Sequence, residues 1–265
     1  MSQPLVEYQT EQHIATITMN DPKTLNAFST PLKGAIMEAL DKADKDDQVR
    51  VIVLQGGGNN FSSGGHIGEM LENGMESEAL VAKLDFMLRE VAEVSLKLRA
   101  IHKPIIAKLE GAVAGAGMNL ALTCDFRIAA DNAKFVQAFV NIGLIPDAGG
   151  IYLLNQLIGA AKTTELVMLG DKIKVEDMAR LNLVNTVVSA DEIDASVNAL
   201  ATRLSQLPAK ALASMKHMLN VHAYSGLSEA LDLEVEQQVM MAKTDDFKEG
   251  ITAFMEKRKP VYQGK

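Results

Sequence analysis

The sequence predicts an α/β protein with a helical region at its C-terminal end. Short apolar runs rich in β-branched residues alternate with amphipathic helical patterns through the first part of the chain. From about Gly159 onwards helical patterns predominate, and the composition shifts near residue 200. We therefore expect an α/β core over residues 1–200 and a C-terminal helical region over residues 201–265.

The elements of the core follow one another in a regular order. Leu5–Gln9 and Ile14–Met19 predict a hairpin, and Thr30 followed by Pro31 predicts a helix start. Val49–Leu54 is almost entirely apolar, which predicts a strand buried on both faces. Further predicted elements are a helix over Glu78–Leu98, a strand that opens at Pro104, extended pieces at Phe126–Ala129 and Lys134–Gln137, and helices over Val175–Leu181, Glu192–Leu207, Ala209–Val221, Leu227–Lys243 and Phe247–Lys257.

Composition and charge narrow the classes of function. The 265 residues are enough to bury a sizeable core, and 48% apolar with 23% charged residues is typical of a globular protein. A formal net charge of −8 argues against broad nucleic-acid binding, which needs a basic surface. No apolar run reaches the length of a membrane span, and Met1–Pro4 lacks the features of a signal peptide. We expect no nucleic-acid partner and no membrane association.

Cysteine and histidine usage also carries information. Cys124 is the only cysteine, so no intrachain disulfide forms and a cytoplasmic location is expected. Because Cys124 lies in an apolar helix end, we interpret it as an inert core residue. The five histidines include no close helical pair with an acidic partner, so no metal site is predicted.

Two glycine clusters each follow a predicted strand. Gly111, Gly115 and Gly117 lie within Lys108–Phe126, and Gln55–Gly68 contains six glycines. A strand, a glycine turn and a helix start are typical of an anion site, because the first amides of a helix have no partner within it. A tightly packed helix, or a flexible loop, gives the same local pattern. Two such clusters together favour two converging N–H donors, the arrangement of an oxyanion hole.

Five motifs in order resemble those of the crotonase superfamily, the enoyl-CoA hydratases and isomerases. They are Asn26–Phe28 (NAF), Phe61–Ile67 (FSSGGHI), Glu110–Leu120 (EGAVAGAGMNL), Asn141–Gly150 (NIGLIPDAGG) and Ala253–Arg258 (AFMEKR). Each motif alone is weak, but the five cover nearly the whole chain in register. The resemblance implies a spiral of ββα turns followed by C-terminal helices that assemble as a homotrimer or homohexamer. The predicted helix Leu227–Met241, rich in methionine and leucine, suits an interface or a core face equally.

The resemblance also implies a substrate and the residues that bind it. The substrate is an acyl thioester of coenzyme A or of acyl-carrier protein, and no further cofactor is expected. Matched to the motifs, the oxyanion donors are the backbone amides of Gly65 and Ala116, where alanine replaces the family's middle glycine. Ser63, Phe254 and Lys257 match positions at the nucleotide end of coenzyme A. Lys257 is followed by Arg258 and Lys259, a local positive charge whose other interpretation is a solvated helix end.

The chain departs from the family pattern at the acid–base positions. Hydratases of the family carry two glutamates there, and this sequence has Asn119 and Phe139. Neither side chain is a useful base, so hydration by the two-carboxylate route is not expected. Asp147 matches the aspartate with which several family isomerases move a proton. Its local sequence also suits a helix cap, and an apolar wall at Phe139 would raise its pKa.

Two further points complete the prediction. His66 stands where the family has aspartate, next to the oxyanion residue, and we expect it to make a structural hydrogen bond. The favoured function is isomerisation of a 3-enoyl or 2-enoyl thioester with Asp147 as the proton shuttle. The alternatives are an enoyl-CoA hydratase and a non-catalytic protein that binds acyl thioesters. A nucleotide oxidoreductase is disfavoured because the sequence lacks a Tyr-x-x-x-Lys motif.

Overall fold

The structure, a computed structural model, describes residues 3–72, 74 and 78–265. Its strands are β1 (Val6–Glu11), β2 (Ile14–Met19), β3 (Val51–Gly56), β4 (Ile105–Leu109), β5 (Ala112–Ala114), β6 (Phe126–Ala130), β7 (Lys134–Val136), β8 (Lys172–Ile173) and β9 (Thr186–Val188). Its helices are α1 (Thr30–Lys45), α2 (Ile67–Met70), α3 (Glu78–Ala100), α4 (Ala116–Thr123), α5 (Gly150–Leu169), α6 (Val175–Arg180), α7 (Ile193–Ser205), α8 (Ala209–Ala223), α9 (Leu227–Met241) and α10 (Asp245–Glu256), with a 3-10 helix at Ala138–Ile142. The predicted α/β class is confirmed.

The larger sheet has the strand order β1-β2-β3-β4-β6-β9 in the described part of the chain. The hairpin of β1 and β2 is antiparallel, as predicted, and the remaining neighbours are parallel. In β3, Ile52 and Leu54 pack with residues of α1 and α3, whereas Val51 and Val53 pack with residues of α7. This confirms the prediction that the strand is buried on both faces, since helices cover both sides of the sheet.

The smaller sheet joins β5, β7 and β8 and lies beside the two glycine clusters. β5 and β7 are parallel, and β8 is antiparallel to β7. An isolated bridge also pairs Ser62, in the glycine cluster Gln55–Gly68, with Val113 of β5. Strand β5, which leads into α4, therefore lies against the glycine cluster Gln55–Gly68.

The helices agree closely with the predicted ones. α1 begins at Thr30, where the Ser29 side chain accepts a hydrogen bond from the Leu32 amide at 3.3 Å. Pro208 and Gly226, predicted to separate helices, stand at the N-terminal caps of α8 and α9. In the described part of the chain, no helix is both long enough and apolar enough to span a membrane.

The region after Gly159 differs from the prediction at two places, because β8 and β9 are strands. β9 has three residues and pairs with β6 at the edge of the larger sheet. A run this short carries too little periodicity to predict a strand, and its pairing with β6 is a long-range interaction. The division into residues 1–200 and 201–265 stays a prediction. Residue 200 itself lies within α7.

Helix α7 contributes directly to the core on one side of the larger sheet. Ile193, Val197 and Ala201 are buried against side chains of β3, β4 and β6. Helix α9 carries both buried and exposed apolar residues: Leu231 and Val235 are buried, whereas Met240 is 54% exposed. Helix α9 thus has a core face and an exposed apolar position on the same element.

The packing of α7 predicts a large cost for a cavity on that face. Replacing Ile193 by alanine should lower the free energy of unfolding by about 2–5 kcal/mol, because Ile193 is 1% exposed. Asn198→Ala, on the exposed side of α7, is the matched control and should change it by less than about 0.5 kcal/mol. Chemical denaturation measures both. Equal effects of the two substitutions would contradict this account of α7.

Candidate active site

A mainly apolar cavity of about 330 Å³ lies between the two glycine clusters, α2, α3 and the 3-10 helix. Its apolar lining comes chiefly from Met70, Leu84, Met87, Leu88 and Val91. Polar groups enter it at a few points. Of the predicted site residues, the cavity brings together Ser63, Gly65, His66, Ala116, Phe139, Asp147 and Phe254. Asn119 and Lys257 do not line it.

Backbone hydrogen bonds join the two glycine clusters. The Ser62 amide donates to the Ala112 carbonyl at 2.9 Å, and the Ala114 amide donates to the Ser62 carbonyl at 3.0 Å. The approach is too close for side chains at Gly117 and Gly64. A Cβ at Gly117 would lie 2.7 Å from Cβ of Ser62, and one at Gly64 would lie 2.8 Å from the Ala114 carbonyl oxygen. The glycines therefore allow the chain segments that contain Gly65 and Ala116 to meet.

The amides of Gly65 and Ala116 are free to bind a ligand. Within the described residues, neither amide donates a hydrogen bond to another protein group. Ala116 is the first residue of α4, where backbone amides have no partner within the helix. The positive φ in this turn falls on Gly115, the N-terminal cap, whose φ is 50°. Ala116 itself has an ordinary helical conformation. Alanine at position 116 therefore requires no unusual backbone geometry.

Asp147 lies in the turn before α5, and it is not the cap of that helix. The N-terminal cap is Gly149, with a left-handed φ of 84°, and no side chain of the cap residue bonds the helix. A carboxyl group from α9 takes the place of a local cap, because the Gly149 amide donates to Oε2 of Glu234 at 2.7 Å. Among the described residues, Oδ1 of Asp147 is buried without a hydrogen-bond partner. The carboxyl group of Asp147 is thus left for another role.

The surroundings of Asp147 favour its protonated form. Burial raises the pKa of Asp147 to about 7, while the positive charge of Lys33 and a backbone hydrogen bond act in the opposite direction. Lys33 is 3% exposed and lines the same cavity. Its ammonium group donates to the Met87 carbonyl at 3.0 Å and pairs with Glu90 at 2.9 Å. A carboxyl group that titrates near neutral pH is well suited to proton exchange.

Asn119 and Phe139 stand at the two positions where hydratases of the family carry glutamates. Nδ2 of Asn119 donates to the backbone carbonyl of Asp147 at 2.8 Å, and Oδ1 accepts from Gln137 at 2.6 Å. Asn119 therefore supports the Asp147 turn from behind the cavity. Phe139 is 7% exposed, and its Cζ would lie 3.4 Å from a Cβ at Gly115. Its ring forms an apolar wall next to the start of α4.

Ser63 and His66 line the cavity with their side chains already hydrogen-bonded. The Ser63 hydroxyl donates to the Thr24 carbonyl at 2.8 Å. His66 caps α2, since its Nδ1 accepts from the Glu69 amide at 2.9 Å. A neutral ring with Nδ1 as acceptor carries its proton on Nε2. This hydrogen bond is the structural kind expected for His66.

Phe254 and Lys257 lie at and beyond the mouth of the cavity. Phe254 is 57% exposed and lines the opening. Lys257 ends α10 with a left-handed φ of 55° and does not reach the lining. The neighbouring Arg258 pairs with Glu249 and Glu256, both at 2.6 Å. These carboxylates offset much of the positive charge that the sequence places at this helix end.

The sequence analysis missed three polar residues of the site: Lys33, Glu234 and Gln238. Lys33 and Gln238 line the cavity, and Glu234 caps α5 behind it. Oε1 of Gln238 accepts from the Ile145 amide at 2.8 Å. Each lies in an amphipathic helix, where a single polar residue on the apolar face was the only available signal. Within the described residues, no group of His, Cys, Asp or Glu side chains is arranged to hold a metal ion.

The raised pKa of Asp147 predicts a pH-dependent stability. A carboxyl group that titrates near 4 when unfolded and about 7 when folded binds more protons in the folded state between these values. Its favourable contribution is complete below pH 4 and is lost as the pH rises through 7. Asp147→Asn cannot ionise, so its Tm should exceed that of the wild type by more at pH 9 than at pH 5. Thermal unfolding measures this, and an equal difference at both pH values would contradict it.

Comparison with known proteins gives a consistent set of relatives. The model of the enoyl-CoA hydratase/isomerase family matches residues 9–265. Trans-2-decenoyl-[acyl-carrier-protein] isomerase of Streptococcus mutans is 36% identical over 97% of each chain, and a probable enoyl-CoA hydratase of Rhodobacter capsulatus is 35% identical over 100% of each. A crystal structure of an enoyl-CoA hydratase from Mycobacterium avium subsp. paratuberculosis K-10 has a TM-score of 0.87, at 30% identity over 98% of each chain. The fold is therefore that of the crotonase superfamily, and the chain belongs to the enoyl-CoA hydratase/isomerase family.

Proposed function

We propose that the protein is an isomerase that moves a double bond between the 3- and 2-positions of an enoyl thioester. The observation that carries this proposal is Asp147, the only carboxylate among the described residues that line the cavity. The same apolar cavity contains the two free amides of Gly65 and Ala116. One proton-exchanging group and two donors for an enolate oxygen are the parts that a 1,3 proton shift needs.

The proposed reaction has two proton transfers and one intermediate. The thioester carbonyl oxygen accepts hydrogen bonds from Gly65 and Ala116, which stabilises negative charge on that oxygen. Asp147, as the carboxylate, removes a proton from C2 of a 3-enoyl thioester and leaves a dienolate. The protonated Asp147 then returns the proton to C4, and the double bond comes to lie between C2 and C3. The reverse sequence converts the 2-enoyl into the 3-enoyl thioester.

The surroundings of Asp147 favour this reaction over the addition of water. Hydration in this family uses two carboxylates, and the corresponding positions here are Asn119 and Phe139. The amide of Asn119 is committed to Gln137 and to the Asp147 backbone. The ring of Phe139 lies next to Gly115 and gives the cavity an apolar wall, which disfavours water there. A single carboxyl group can hold the proton between its removal and return.

The proposed substrates are thioesters of coenzyme A or of acyl-carrier protein. The relative from Streptococcus mutans is named for a carrier-protein substrate, and others are named for coenzyme A substrates. We further propose that Phe254 and Lys257 meet the nucleotide end of coenzyme A at the cavity mouth. Assembly as a homotrimer or homohexamer is part of the proposal, supported by exposed apolar residues of α8 such as Met215, Met218 and Leu219.

The first test concerns the proton shuttle. Asp147→Asn keeps the shape of the side chain, and the helix cap at Glu234 is untouched, so the variant should fold. Because the amide is not a useful base, kcat for isomerisation of a 3-enoyl thioester should fall by at least about 10²-fold. Thioester binding should be nearly unchanged. Turnover assays and calorimetric titration measure the two quantities.

Two results would each refute the isomerase proposal. One is near wild-type isomerisation by a folded Asp147→Asn variant. The other is a wild-type protein that hydrates a 2-enoyl thioester faster than it isomerises any 3-enoyl thioester. A protein that binds thioesters and turns over none of them would favour the non-catalytic alternative.

The second test removes one of the oxyanion donors. Ala116→Pro deletes the amide hydrogen at the first position of α4, where proline is tolerated in helices. Turnover should fall about 10²–10³-fold, because one donor to the enolate is lost. Ala114→Ser, a small change at the end of β5 that keeps every amide, serves as the control. Unchanged turnover in a folded Ala116→Pro variant would exclude this amide from the site.

A further inference from the structure

Helix α9 contacts the turn that carries Asp147 on both sides of that residue. Oε1 of Gln238 accepts from the Ile145 amide at 2.8 Å, and Oε2 of Glu234 accepts from the Gly149 amide at 2.7 Å. Glu234 and Gln238 are four residues apart and therefore lie on one face of the helix. The backbone is thus fixed two residues before Asp147 and two residues after it.

The helix that makes these contacts is itself firmly seated. Leu227, Leu231 and Val235 are each less than 5% exposed, and they pack into the hydrophobic clusters that also contain residues of α3 and α5. On the opposite side of the turn, Nδ2 of Asn119 donates to the Asp147 carbonyl at 2.8 Å. Since a displacement of about 1 Å can cost orders of magnitude in rate, these contacts matter for proton transfer.

Glu234 is also buried, and one of its two carboxyl oxygens is unpaired in the described part of the chain. It is 7% exposed, and its Oε1 is buried without a hydrogen-bond partner among the described residues. Burial raises the pKa of Glu234 to about 8, against the hydrogen bond from the Gly149 amide, and the charge of Asp147 raises it further. These surroundings favour the protonated form of Glu234.

We propose that Glu234 and Gln238 are positioning residues for Asp147, and that Glu234 is also a second proton-binding group of the site. This rests on the proposed function, because it takes Asp147 as the group that moves the substrate proton. Ionised Glu234 would place a second negative charge near Asp147, whose own charge already raises the pKa of Glu234. A second negative charge near the site opposes formation of the enolate, so the protonated form of Glu234 is the active one.

Among the described residues, other charged groups around the site are paired or exposed, so none of them is a second proton-binding group in place of Glu234. Lys33 of α1 is held by Glu90 of α3 at 2.9 Å, which offsets its charge. Glu69 of α2 pairs with Lys83 of α3, also at 2.9 Å. Asp232 and Glu236 are exposed on α9, and Arg89 of α3 is exposed and pairs with Asp85. From α5, the Tyr152 hydroxyl donates to the Ala223 carbonyl.

The pH profile of kcat tests the proposal. In the wild type, kcat should rise as Asp147 ionises near pH 7 and fall as Glu234 ionises near pH 8. Glu234→Gln keeps an acceptor for the Gly149 amide and cannot ionise, so it should keep the rise and lose the fall. At pH 9 the variant should be about sevenfold faster, relative to its own maximum, than the wild type. Circular dichroism at each pH would check that both proteins remain folded.

A matched variant and a conservative rescue separate positioning from general damage. Glu236→Gln, on the exposed face of α9, should keep the wild-type profile. Glu234→Ala removes the acceptor, so the Gly149 amide should exchange its hydrogen faster and kcat should fall with KM nearly unchanged. Glu234→Gln should restore both. A Glu234→Gln profile that keeps the alkaline fall would overturn the role in proton binding, and unchanged Gly149 exchange in Glu234→Ala would overturn the positioning role.

A measurement without substrate distinguishes failure of this inference from failure of the proposed function. Carbon-13 NMR of labelled carboxyl groups should show a signal that titrates near pH 8 and is missing in Glu234→Gln. Glu234 titrating near 4.5 would overturn the inference even if the protein is an isomerase. A wild type that titrates as expected but does not isomerise would refute the proposed function alone.

Discussion

The two backbone hydrogen bonds between Ser62 and the segment Ala112–Ala114 are the contacts on which the site depends. They hold together chain segments that are about fifty residues apart in sequence, and they leave the amides of Gly65 and Ala116 free. Gly64 and Gly117 are required there because a side chain would collide with the facing segment. The parallel sheet matters to the site mainly because its strands deliver these two segments to one edge.

The electrostatics of the site involve a cost to stability. Oδ1 of Asp147 and Oε1 of Glu234 are buried carboxyl oxygens that have no hydrogen-bond partner among the described residues. A hydrophobic core normally excludes such groups, because unpaired buried polar atoms are destabilising. Destabilising burial of an ionisable group is common at sites where that group must exchange protons. The nearby Lys33 and Glu90 form an ion pair at 2.9 Å. Within the described residues, Tyr8 and Gln137 also each have a buried side-chain oxygen without a hydrogen-bond partner.

Much of the fold follows from local sequence patterns. The hairpin, the doubly buried β3, the long helix α3 and the helices separated by Pro208 and Gly226 were all predicted. β9 was not, because three residues carry little periodicity and their pairing with β6 is long-range. The motifs identified the residues of the cavity on the two glycine clusters and Asp147. They did not identify Lys33, Glu234 or Gln238, whose roles come from contacts between distant helices. Sequence also could not show that Glu249 and Glu256 offset the charge of Arg258.

The hydrogen bond between Gly149 and Glu234 joins residues 85 positions apart. The start of α5 therefore has no cap of its own in the local sequence and acquires one only when α9 docks. During synthesis, both glycine clusters and the strands up to β9 leave the ribosome before Glu234 does. A chain that ends before α9 would keep the residues of the oxyanion hole but leave the Asp147 turn unsupported. Support for the Asp147 turn thus depends on a helix near the C-terminal end of the sequence.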